Sequence, residues 1–157
     1  MRLISNVEKN TQSHLYELKQ LISWSERIVI CSGWMKATGL SLLLRDIRAA
    51  IRRGAKITVY TNQEHTEPSC IKSLVKVSGL KHFNVPKPIY LHSKIYYGQK
   101  GNSYSAIVGS ANVTRGGLCT NEELSYLVSG KIGDDAHVQL ESYLKRLFEL
   151  EATKSLG

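Results

Sequence analysis

The sequence has no run approaching the roughly 18 apolar residues of a membrane span, which excludes a transmembrane helix. Its three cysteines, Cys31, Cys70 and Cys119, are odd in number and contain no C-x-x-C pair. That argues against a secreted disulfide framework and for free thiols in a reducing, cytoplasmic setting. Met1 to Thr11 mixes Arg2, Glu8 and Lys9 without an apolar stretch, so it does not read as a signal peptide. No internal repeat, linker or low-complexity segment is present. Neither a phosphate-binding G-x-x-x-x-G-K-[ST] loop nor a G-x-S-x-G nucleophile elbow occurs. Acidic charge is also in short supply. Thirteen Asp plus Glu stand against 21 Lys plus Arg, a formal net charge of +8. Such a surface attracts polyanions; nucleic acid is the commonest, and an anionic membrane surface is a second.

What is present fits one domain of 157 residues, long enough to bury a hydrophobic core. Leu15, Leu18, Leu21 and Ile22 predict an amphipathic helix over 11–24. Arg27–Met35 reads as a buried strand. A second helix is expected to open at Thr38 or Gly39, carry Leu40, Leu43, Leu44, Ile47 and Ile51, and close at Arg53-Gly54. Lys56–Thr61 predicts a strand, 68–78 a weaker helix and Leu80–Val85 another strand. This alternation implies parallel pairing with helices on the sheet faces. From Pro86 the rhythm changes: Ile89–Tyr97, Ser103–Val108 and Glu122–Val128 read as strands, with 99–102 a hairpin connector. Asp134-Asp135 cap a last helix. The expected architecture is a single-domain α/β/α sandwich with a mixed, largely parallel central sheet.

The chemistry lies in residues 90–130. His92-Ser93-Lys94 is followed by Gly109-Ser110-Ala111-Asn112 and then by Asn121-Glu122-Glu123. On a strand His92 and Lys94 share a face while Ser93 points away. An imidazole beside an ammonium makes an anion site. The histidine can attack or move a proton near neutral pH, and the lysine can neutralise charge on phosphoryl oxygens. Asn112 can donate to the same oxygens, and Glu123 can hold the imidazole in one tautomer.

H-x-K, G-S-x-N and N-x-E in this order and spacing resemble the HKD signature of the phospholipase D superfamily. The offsets are similar to its bacterial endonucleases and metal-independent restriction endonucleases. The close match covers about forty residues. The resemblance implies that His92 is the nucleophile, forming a phosphohistidine. It implies that Lys94 and Asn112 bind the phosphate, that Glu123 supports the histidine, and that Ser110 adds a hydroxyl. Glu123 is preferred to Glu122 because the family's acid sits two residues after the asparagine matched by Asn121. One position departs: the Asp expected five residues after Lys94 is Gln99, which weakens the likeness to lipid-hydrolysing members. Only one H-x-K is present, whereas the family's site uses two. The expectation is therefore a homodimer with two copies of His92 at its two-fold axis. No metal or other cofactor is implied.

Among the basic residues, Lys87, Lys100 and Arg115 are expected to flank the site and meet a phosphate backbone. Arg45, Arg48, Arg52 and Arg53 read as a solvated helix stripe. His14, His65, His82 and His137 read as surface or capping residues. Trp24, Trp34 and the eight tyrosines read mostly as core, with no stacking platform. The leading expectation is a restriction- or defence-type endonuclease acting on DNA, with recognition or helicase domains in a longer parent protein. A non-catalytic nucleic-acid-binding or dimerisation module and a phospholipid hydrolase or transferase are the alternatives.

Overall fold

Strand β2 (Arg27–Ser32) shows how the chain is layered. Ile28 and Ile30 point into one apolar cluster and Val29 and Cys31 into another, because successive side chains leave a strand on opposite faces. A sheet with two apolar faces must be covered on both. In the computed structural model, which describes residues 1–7 and 13–155, it is.

The sheet has seven strands in the order β1-β7-β6-β5-β2-β3-β4. They are β1 (Arg2–Ser5), β2, β3 (Lys56–Asn62), β4 (Lys81–Val85), β5 (Lys94–Lys100), β6 (Ser103–Gly109) and β7 (Leu124–Lys131). One face is covered by α1 (His14–Trp24), α3 (Leu44–Arg52) and α4 (Pro68–Val75) through Leu18, Ile22, Ile47 and Leu74. The other is covered by α5 (Asp135–Ser155), whose Leu144 and Leu147 pack on Tyr97 and Tyr104. The expected mixed α/β/α sandwich is thus the architecture. Its parallel pairing is narrower than anticipated: β2-β3 and β3-β4 are parallel, and every other neighbour pair is antiparallel. The reason is connection length. Helices link β2 to β3 and β3 to β4, whereas the short Gly101 turn, at φ +53°, can only reverse the chain between β5 and β6.

Several boundaries moved. The helix expected over 11–24 starts at His14, with the Ser13 hydroxyl accepting the Tyr16 N–H at 3.2 Å. Positions 11 and 12 lie outside the described residues. The helix expected from Thr38 to Arg53 is broken into α2 (Ala37–Leu40) and α3. Gly39 explains the break: a Cβ there would lie 2.4 Å from Thr114 Cα, so this turn is pinned against the 112–116 loop. The strand expected at Ile89–Tyr97 begins at Lys94. Pro86 and Pro88 instead set a turn in which Tyr90 N–H donates to the Lys87 carbonyl at 3.0 Å and Tyr90 takes φ +50°. Strand β1 and a π-helical turn over Gly116–Thr120 were not foreseen. Asp134 does cap α5, accepting the His137 N–H at 2.8 Å. Among the described residues no helix is long and apolar enough to cross a membrane.

Candidate active site

The ends of β2 and β3 and the starts of β5 and β7 meet at one edge of the sheet, and the chemistry-bearing residues lie there. β2 runs out into Gly33, whose N–H donates to the Ser93 carbonyl at 3.1 Å. Asn62, at the end of β3, donates its side-chain amide to the Leu91 carbonyl at 2.6 Å. These two buried bonds clamp the backbone on either side of His92, which is itself exposed. His92 precedes β5 rather than lying in it. Lys94 opens the strand and is paired with Ser32.

The lysine turns back on the histidine. Its Nζ donates to the His92 carbonyl at 2.7 Å and stands 3.2 and 3.3 Å from Nδ1 and Nε2. Burial pushes the Lys94 pKa below its ordinary value, while the nearby Glu123 carboxylate acts in the other direction. Beneath them the Cys31 thiol is fully buried, its pKa pushed up to about 12, so it stays neutral.

Asn112 is oriented from two sides. Its Oδ1 accepts the Trp34 N–H at 3.0 Å, which fixes which end of the amide is oxygen. Its amide nitrogen has no hydrogen bond among the described residues and is free to donate. The loop carrying it is held by Ser32, whose hydroxyl accepts the Val113 N–H at 2.9 Å and donates to the Trp34 carbonyl at 2.7 Å. It is also held by the buried Tyr96 hydroxyl, which donates to the Ala111 carbonyl at 2.7 Å. Ser110 donates its hydroxyl to the Glu123 carboxylate and accepts the Leu124 N–H at 3.1 Å. Trp34, Lys36, Asn112, Arg115, Asn121 and Glu123 line a groove of about 420 Å³. A second hollow of about 410 Å³ opens beside His92 and Lys94. An imidazole and an ammonium line one hollow and a free amide donor the neighbouring groove, a set of groups that can receive a phosphodiester.

The family model described as cardiolipin synthase, PLD-like domain, matches residues 18–148. The chain belongs to the phospholipase D superfamily. Solved structures place it on the same fold. NucT from Helicobacter pylori is similar with a TM-score of 0.71 at 19% identity, over 94% of each chain. Nuc from Salmonella typhimurium, a phospholipase D family member, gives 0.74 at 15% identity, covering 96% of this chain and 93% of that one. Yeast tyrosyl-DNA phosphodiesterase gives 0.55 at 17% identity, over 85% of this chain and 34% of that one. No curated protein sequence matches the chain.

In this phospholipase D-like domain His92, Lys94, Asn112, Ser110 and Glu123 gather at one sheet edge. Glu123 is bonded to Ser110 rather than to His92, and it acts on Lys94 through its charge. Arg115 is exposed on the groove wall, and Lys87 sits on the turn leading to His92. Lys100 does not flank the site. It ends β5 six residues from Lys94, about 20 Å away at strand rise. Arg53 is structural, donating to the Ser25 carbonyl at 2.7 Å at the end of α1.

The histidine expectations fail for His14. It is 1% exposed, with Nδ1 2.9 Å from Asn6 Oδ1 and Nε2 2.7 Å from the Ser125 hydroxyl. Asn6 in turn donates to the Gly117 and Asn121 carbonyls at 2.8 and 3.1 Å. The pair ties the N-terminal strand to the loop that presents Asn121 and Glu123. His137 is buried too, under Tyr104. Trp34 is not core either: it is 44% exposed and stacks on His65. No periodicity announces these contacts, because they join residues on separate elements of the fold.

Proposed function

We propose that this domain is a metal-independent phosphodiesterase, a DNA endonuclease of restriction or defence type that works through a phosphohistidine in a dimeric site. The observation that carries it is the Lys94 ammonium held against both the carbonyl and the ring of His92. His92 attacks phosphorus; a P–N bond forms and a P–O bond breaks. Lys94 and Asn112 donate to the non-bridging oxygens as charge builds on them. The His92 of a second copy protonates the departing ester oxygen. It then takes a proton from water, which attacks phosphorus, breaks the P–N bond and frees His92.

The fold resemblance to Nuc and to tyrosyl-DNA phosphodiesterase supports a phosphodiester substrate, and the net charge of +8 supports a nucleic acid. The dimer is supported by an apolar row beside the site whose outer members, Leu3 and Tyr126, are exposed while Ile95 is buried. Leu3 pairs with Tyr126, Tyr126 with Val108 and Val108 with Ile95, next to the hollow that holds His92. Leu3 is 52% and Tyr126 49% exposed, as a face awaiting a second copy would be.

The deciding experiment is cleavage of plasmid and single-stranded DNA in excess EDTA by wild type and by His92→Ala. Cutting by the wild type alone is expected. Cutting by both, or by neither, would remove the proposal.

A further inference from the structure

The rings near the site form a row. Trp34 stacks on His65 with centroids 4.9 Å apart and planes 19° from parallel. His65 meets Tyr90 edge-on at 5.5 Å, its Nε2 2.6 Å from the Tyr90 hydroxyl. Tyr90 lies 12° from parallel with His92 at 6.4 Å. The row therefore ends on the proposed nucleophile.

The row is built from three loops that the fold brings together beyond the carboxyl ends of β2, β3 and β4. Met35 bridges to Thr66 and accepts from Glu67, its carbonyl 3.0 Å from that N–H, fixing the Trp34 and His65 loops side by side. Tyr90 reaches its place only by adopting φ +50°, a conformation that costs a non-glycine residue energy and that persists where the surroundings impose it. Yet these rings do not serve the core. Trp34 is 44% and Tyr90 48% exposed, whereas Tyr96, Tyr97 and Tyr104 are buried. Cations accompany them: Lys36 Nζ lies 5.8 Å from the Trp34 centroid, and Arg115 lines the same groove.

Aromatic faces beside cations are the means by which proteins hold unpaired bases on a tracked backbone. We propose that Trp34, His65 and Tyr90 are a stacking platform for the bases of single-stranded nucleic acid whose phosphate lies on His92 and Lys94. This rests on the phosphodiesterase reading for the position of the phosphate. A duplex does not fit the platform, because each of its bases is already covered on both faces. Lys36 and Arg115 neutralise the phosphates flanking the stacked bases.

The test is binding of a fluorescent twelve-residue oligothymidylate and of an abasic strand with the same number of phosphates. The full chain is used with His92→Ala, so that cleavage does not intervene. The base-bearing strand is expected to bind tighter by roughly five- to 150-fold, one stacked base or more. Trp34→Ala and Tyr90→Ala should each shrink that preference while leaving the salt dependence unchanged. Equal affinity for the two strands overturns the proposal even if neither ring variant folds. So does a preference that survives both substitutions, or a loss that is equal for the abasic strand or a blunt duplex. Binding needs no turnover, so failure of cleavage in EDTA would remove the nuclease reading without producing any of these results.

Discussion

Gly33 and His92 lie backbone against backbone: a Cβ on residue 33 would come 2.9 Å from the His92 Cα. That is closer than side-chain carbons approach, and both atoms belong to clamped segments. The glycine is therefore a condition for where the imidazole sits. Gly33→Ala is expected to keep the fold while displacing His92, lowering kcat by about a hundredfold, as ångström-scale misplacement of a reacting group does. Circular dichroism and steady-state kinetics on the same preparation check it; an alanine variant with wild-type kcat would show that the loop yields.

Lys94 must carry its proton to neutralise a phosphate. Burial lowers its pKa and Glu123 opposes that fall. Removing the carboxylate in Glu123→Gln therefore lowers the Lys94 pKa further. Activity, lost as pH rises through that value, should fail at lower pH than in the wild type. The alkaline limb of kcat/KM against pH reads this directly. A limb that stays in place would mean that Glu123 does not reach Lys94 electrostatically.

Two histidines set the acid limit of stability. Burial lowers the pKa of His14, with Glu123 opposing, and of His82. Near pH 6.5 the unfolded chain then binds protons that the folded chain refuses, so stability falls as pH drops through that window. Asp134, lowered chiefly by the His137 N–H, adds a second loss as pH falls below its ordinary 3.8. Thermal melts between pH 7.5 and 5 should show Tm declining, and His14→Gln should flatten the decline. At pH 7.5 the same variant should cost about 1–3 kcal/mol, because Asn6 and Ser125 lose a buried partner. A pH-independent Tm in the wild type would contradict this.

The proposed dimer makes a separate demand. Tyr126→Glu puts a charge at the exposed outer end of the apolar row, beside Leu3 and away from the His92 loop. Sedimentation should show a dimer for the wild type and a monomer for the variant, with cleavage lost alongside. A monomeric wild type that cuts DNA would disprove the two-copy site.

Much of the fold was legible because its strands alternate and its helices are amphipathic. Ile28 to Cys31 fill two clusters by turns, and Leu18, Leu21 and Ile22 share one helical face. The motif residues were legible for a related reason. His92 and Lys94 are near neighbours in the chain, and Ser110, Asn112 and Glu123 follow within the same hairpin-rich segment. Strand β1 escaped because four edge residues show little pattern, with Ile4 the only one buried. The helix break at Gly39 and the late start of β5 escaped because each is imposed by a distant contact.

The sequence by itself determined the α/β class, the candidate site residues and the basic balance, since these rest on local periodicity, residue chemistry and charge. Tertiary structure decided which of them meet. It left Lys100 at the wrong end of its strand and joined Glu123 to Ser110. It buried His14 between Asn6 and Ser125 and lined Trp34, His65 and Tyr90 toward His92. The reason is physical. Contacts between residues on different strands and loops depend on how strands pair and where loops converge, and local sequence holds no record of that convergence.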